Sequence, residues 1–184
     1  MTRSKKTRQL RRQPVLRLYN PLVIVSSVLI CTLLSLTRWP GMVLSGYGPG
    51  WLVIWLGVWC IDRTLLQAIA AGLCLGWIQD SLSAGWPSHT VGMITIGTGF
   101  HFCFANRVWK SDLLIAPIIV AIGVFVNDVI FSMLLSWSQT FSLIQTWRQA
   151  SDLFWISPLL SAVWTPAFFW PLRQWWTFVK KLQS

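Results

Sequence analysis

Four polar residues interrupt stretches that are otherwise apolar: Asp80, His89, Asn127 and Asp128. The chain has five acidic residues, all aspartates, and no glutamate. Asp80 closes "GLCLGWIQD" and opens a turn through Gly, Pro and Ser, while Asn127-Asp128 lies inside "IGVFVNDVIFSMLL". An aspartate at the centre of a bilayer costs roughly 2.5–3.5 kcal/mol on insertion scales, and less near an interface. Such a residue is either held by hydrogen bonds or belongs to a site. For Asp80 both uses stand open: capping the turn "DSLSAGWPS" by accepting backbone N–H bonds, or anchoring a polar pocket. Asp80, His89, Asn127 and Asp128 are expected to meet in one outer polar layer. His101 lies nearer the other end of its span and is expected to be a satisfied packing residue.

The chemistry open to these residues is narrow. G-x-S-x-G, H-E-x-x-H and G-x-x-x-x-G-K-[ST] are all absent. Two histidines at opposite depths, without any glutamate, leave few acid–base candidates. The expectation is a non-enzyme with no catalytic residues, no cofactor and no metal. Cys31, Cys60, Cys74 and Cys103 fall in or beside apolar runs with no metal-ligand spacing, and are read as small packing residues.

The elements that must position these groups are membrane spans. The 184 residues are 54% hydrophobic and 11% charged, with a mean hydropathy of +0.58. About a quarter of a soluble domain is charged, so the chain reads as an all-α integral membrane protein. Spans are expected near 21–37, 50–61, 64–80, 89–105, 113–137 and 153–171, forming a domain over 20–172. A basic tail (1–19) precedes it and a short basic tail (173–184) follows. Asp62-Arg63 either turns the chain or lies inside one helix from 50 to 80. Six spans with the N-terminus inside divide Lys and Arg thirteen inside to two outside; merging spans two and three gives eight to six. Cytoplasmic segments favour Lys and Arg, so six transmembrane helices with both termini cytoplasmic is the expected topology.

Ala68, Gly72, Gly76 and Asp80 recur every four residues along one face of span three, where small residues let another helix approach closely. Intramolecular packing is the expected use. Trp51, Trp55 and Trp59 form a similar stripe, read as packing or lipid contact. Trp39, Trp51, Trp86, Trp109, Trp137, Trp155, Trp170, Trp175 and Trp176 lie near span ends and are read as an interfacial belt. In the tail, Arg3, Lys5, Lys6, Arg8, Arg11, Arg12 and Arg17 suit an anionic inner leaflet, each contributing about 1 kcal/mol, or an acidic cytosolic partner. Nucleic acid is not an expected partner. The tail and first span, lacking an A-x-A-like cleavage site, read as an uncleaved signal anchor.

Residues 49–93, "PGWLVIWLGVWCIDRTLLQAIAAGLCLGWIQDSLSAGWPSHTVGM", resemble the rod shape-determining MreD family. Pro49, Gly72, Gly76 and Asp80 match that family's Pro-led span and G-x-x-x-G-x-x-x-D span. The basic N-terminus, length and six-span layout are similar too, while 1–48 and 106–184 match only in hydropathy. The chain departs from the family at Ser88, where a glycine often precedes the His or Asn. The resemblance implies an S-component-like bundle in the bacterial inner membrane, acting as a non-catalytic scaffold of the cell-elongation machinery. The implied partners are membrane lipid, MreC and, through it, MreB, RodA and a penicillin-binding peptidoglycan synthase. The alternative is the substrate-binding S component of an energy-coupling-factor vitamin transporter. Ser27, Cys31 and Ser35 at i+4 spacing match the small residues with which that class docks its coupling subunit. The apolar outer loops are poor in groups that would read a vitamin.

Overall fold

A computed structural model describes residues 21–37, 41–44, 46–61, 63–83, 88–105, 115–137 and 153–183. The N-terminal tail, Arg38, Trp39, Asp62, Trp86, Arg107, Trp109, Lys110 and Arg148 lie outside the described residues, and so do the expectations that rest on them. The described residues form six helices and no strand, with one isolated bridge between Leu44 and Tyr47. The helices are α1 (Pro21–Leu36), α2 (Trp51–Trp59), α3 (Leu65–Leu82), α4 (Thr90–Ala105), α5 (Ile115–Trp137) and α6 (Leu153–Gln183). Of these, α3 and α5 are long and apolar enough to cross a membrane; α1 and α4 are apolar but shorter.

The described residues on either side of Asp62 belong to two separate helices. Helix α2 stops at Trp59, and the Cys60 N–H closes it on the Leu56 carbonyl. Thr64 then starts α3 with a capping box: its hydroxyl accepts from the Gln67 N–H while the Gln67 side chain accepts from the Thr64 N–H. Reciprocal bonding of this kind satisfies two otherwise orphaned donors, so one continuous helix from 50 to 80 is excluded.

Helix α2 corrects the expected span 50–61. Its nine residues extend only about 14 Å, and all of Trp51–Val58 are buried. A helix apolar on every side must be surrounded, and α2 packs against α3, α4, α5 and α6. Trp51 is therefore a core residue, not part of an interfacial belt: it is 3% exposed, against Trp164 and Phe168 with centroids 5.8 and 5.2 Å away. Trp55 is equally buried, stacks on Trp59 and donates its indole N–H to Ser27 Oγ at 2.8 Å, which ties α1 to α2. The tryptophan stripe is packing. Trp137 and Trp155, at the ends of α5 and α6, are exposed as their positions suggest, whereas Trp170 is exposed but lies inside α6.

Helix α6 runs 31 residues, past the expected end at 171 and through Arg173 to Gln183. Leu172 and Trp176 pack there against Val58, Ala116 and Phe169, which gives the extra turns a tertiary anchor. The Arg63 guanidinium lies 4.1 Å from the Trp59 ring centroid and 5.7 Å from that of Trp176, joining the ends of α2 and α6. Outward faces are apolar, including Leu22, Val25, Leu29 and Leu33 on α1 and Ile118, Ile122 and Met133 on α5. Cys31 and Cys60 are buried, whereas Cys74 is exposed and does not pack in the core.

Candidate functional site

The α3 stripe faces α4. A Cβ on Gly72 would lie 2.6 Å from the Met93 carbonyl oxygen and 3.0 Å from Ile94 Cα, and one on Gly76 would collide with Thr90. From the other side, a Cβ on Gly97 would meet the Ala68 carbonyl at 2.8 Å. Ala68, Gly72 and Gly76 thus oppose Gly97, Met93 and Thr90 in reverse order, a close antiparallel backbone contact. The neighbour is backbone, which a rotamer change cannot move aside.

Asp80 continues this seam one turn further. Its Oδ2 accepts from the Ser88 hydroxyl at 2.6 Å and the Thr90 hydroxyl at 2.7 Å, and its Oδ1 accepts from the His89 N–H. One carboxylate therefore gathers the donors that precede and open α4 and fastens them to the end of α3. The geometry is that of a cap acting across the turn. His101 has its partner as well: its Nδ1 lies 3.0 Å from the Arg63 carbonyl, which makes Nδ1 the protonated nitrogen.

His89, Asn127 and Asp128 line one cavity of about 350 Å³; Asp80 is not in its wall. The other walls are the end of α1, the 42–50 segment, the start of α2, Gln79, Leu82 and Ser83 of α3, Val124 of α5 and Ser157 of α6. The His89 ring stacks on Phe131 with centroids 4.1 Å apart, and Asn127 is 4% exposed. Asn127 Oδ1 sits so close to α4 that a Cβ on Gly92 would be 2.5 Å from it. Three members of the expected polar layer thus share a cavity, while the fourth is held one step behind by its bond to the His89 backbone.

Four of the residues that line the cavity each have one enclosed polar atom with no hydrogen-bond partner: Gln79 Oε1, His89 Nδ1, Asn127 Oδ1 and Asp128 Oδ2. Gln79 was not singled out in the sequence. Its position next to Asp80 was a signal, but only the turn of α3 decides that it lines the cavity. A second group missed in the sequence is Ser157, Ser161 and Thr165, buried at i+4 spacing on α6. Ser161 Oγ accepts the Gly50 N–H at 2.8 Å and fixes the entry into α2, just after the buried Pro49. No group of three or more metal-ligating side chains occurs among the described residues. Comparison with family models, with curated proteins and with solved structures finds no match to this chain.

Proposed function

We propose that the chain is a non-catalytic, six-span scaffold of the bacterial inner membrane, similar to MreD and acting in the cell-elongation machinery. The observation that carries the reading is the local structure of the residues behind the resemblance. Gly72 and Gly76 seat α3 on α4, Asp80 closes the same seam, and Pro49 leads into the buried α2. The signature is a packing and capping device, which suits a protein whose task is to hold a shape for MreC and its synthase partners. Apolar outward faces support membrane embedding, since a soluble protein rarely exposes large contiguous apolar surface. Helix α2, too short to cross alone, would be shielded from lipid by its neighbours.

The vitamin-transporter reading draws its support from the cavity. Against it stands the direction of its proposed docking face. Cys31 is 1% exposed, and Ser27 is engaged by Trp55. Ser35 Oγ donates to the Cys31 carbonyl at 2.9 Å, beside the cavity. Ser27 and Cys31, turned into the bundle, do not offer a surface to a coupling subunit; of the three only Ser35 is exposed.

The test is complementation in a rod-shaped bacterium lacking its own MreD, paired with co-purification of MreC. Restored rods and retained MreC are expected. Round cells with the protein present at normal membrane abundance overturn the scaffold reading, and vitamin uptake on adding a coupling module selects the transporter.

A further inference from the structure

One end of the bundle gathers aromatic rings and cations. Val58 near the end of α2, Ala116 at the start of α5 and Phe169 of α6 form a buried cluster, with Leu172 and Trp176 packed on it. Arg63, just before α3, places its guanidinium over the Trp59 ring and beside Trp176, 4.1 and 5.7 Å from the two centroids. The Arg173 guanidinium lies 5.7 Å from the Phe169 centroid. Phe169, Arg173 and Trp176 recur at i, i+4 and i+7, on one face of α6. Two guanidiniums from different elements therefore approach a single group of rings.

Neither arginine is sealed in: both are half-buried. A guanidinium held over a ring uses its flat face there, while its five N–H donors lie in the plane and point from its edge. It can keep an internal partner and still offer two parallel N–H bonds to an oxyanion. The ring contacts also restrict the side chain in advance, so less freedom is lost on binding. In the expected topology this end is cytoplasmic, and the inner segments carry thirteen Lys and Arg against two aspartates, Asp62 and Asp112. Two carboxylates cannot neutralise thirteen cations. The same helices expose apolar side chains, Ile118 and Ile122 on α5 and Trp170 and Phe178 on α6. Cations beside an outward apolar face fit an anionic headgroup and its acyl chains.

We infer that Arg63 and Arg173 form a binding site for the phosphate of an anionic phospholipid, between the turn before α3 and the end of α6. The phosphate oxygens accept N–H bonds from both guanidiniums, which turns the repulsion of two like charges into a bridge. Phosphatidylglycerol brings that negative charge uncompensated, whereas phosphatidylcholine carries its own cation. The inference rests on the membrane embedding and topology proposed above, and needs neither the scaffold role nor its partners.

The test uses the full chain in a neutral detergent, with native mass spectrometry reading the occupancy of added phosphatidylglycerol or phosphatidylcholine. Phosphatidylglycerol should bind about tenfold tighter. The double variant Arg63→Gln/Arg173→Gln should lose about tenfold of that affinity, and Arg11→Gln/Arg12→Gln, which removes the same charge from the tail, less than about twofold. Equal affinity for the two lipids overturns the inference, and so do equal losses in the two double variants, which would describe bulk charge without a site. Should the site variant fail to fold, Arg173→Gln alone still decides: about a threefold loss is expected, and unchanged affinity overturns the inference. Inorganic phosphate should displace no more lipid than sodium chloride does at equal ionic strength. Greater displacement assigns the site to free phosphate and overturns the lipid source. A C-terminus reported on the periplasmic side would refute the topology without changing these affinities, so the two failures are distinguishable.

Discussion

At the scale of single residues, Asp80 and Asp128 divide their roles. Asp80 is satisfied by three donors from within the chain, whereas Asp128 has an oxygen with none. Asp80→Leu removes an acceptor from two hydroxyls and one N–H at once. Hydrogen bonds to a charged group contribute about 1.5–3 kcal/mol each when buried, and Asp80 is only half-buried, so a total loss of about 3 kcal/mol is expected. Asp80→Asn keeps one oxygen and should lose about half as much. Thermal unfolding in detergent should therefore rank wild type, Asn and Leu in that order, with cell-shape complementation retained by the Asn variant. A well-folded Asp80→Asn protein that fails to complement would assign Asp80 a contact with something outside the chain. The i+4 spacing put Asp80 on the stripe, and the turn residues "DSLSAGWPS" left capping and a polar pocket both open. That its donors include two hydroxyls and sit at the start of the following helix depended on how α3 and α4 meet.

Glycine position matters more than glycine identity at the scale of helices. Gly72 and Gly99 both lie inside helices, yet a Cβ on Gly72 meets the backbone of α4 and one on Gly99 meets nothing within 4 Å. Gly72→Ala should therefore destabilise the protein by about 1–3 kcal/mol, the cost of overpacking, after a helix-propensity gain of up to ~1 kcal/mol. Gly99→Ala receives that gain without the clash and should be neutral or stabilising. Equal behaviour of the two variants in thermal unfolding would mean that α3 and α4 do not meet along this seam. Periodicity in the sequence was enough to identify a small-residue face, because Ala68, Gly72 and Gly76 share one side of any helix. The partner was not legible there. It follows from Gly97 and Thr90 arriving opposite that face when the chain turns back.

For the whole molecule, the membrane reading rests on apolar outward faces and on the charge division between segments. Both termini are expected on the cytoplasmic side. Reporter fusions after Ser184 and within 40–48 should give opposite readouts, cytoplasmic for the first and periplasmic for the second. A cytoplasmic signal from the 40–48 segment, or a periplasmic one from the C-terminus, would overturn the six-span topology and move the cavity to the other face. The fully buried α2 makes the same topology physically reasonable, since neighbours on all sides exclude lipid from a helix too short to cross alone.

The sequence by itself determined the helical class, the division of the apolar stretches into separate helices, and the small-residue face of α3. These depend on hydropathy and on spacings of three and four, which are local properties of the chain. It also held information that went unread: the T-x-x-Q capping box at Thr64, and the all-round apolar character of α2 that marks a surrounded helix. Only the tertiary structure decided that Trp51 is core, that α6 continues to Gln183, and that His89, Asn127, Asp128 and Gln79 line one cavity. Those groups come from α3, α5 and the turn before α4, and the wall they share is completed by α1, α2 and α6. No local pattern records such a wall, because the orientation of each helix about its own axis is chosen by the packing of all six together.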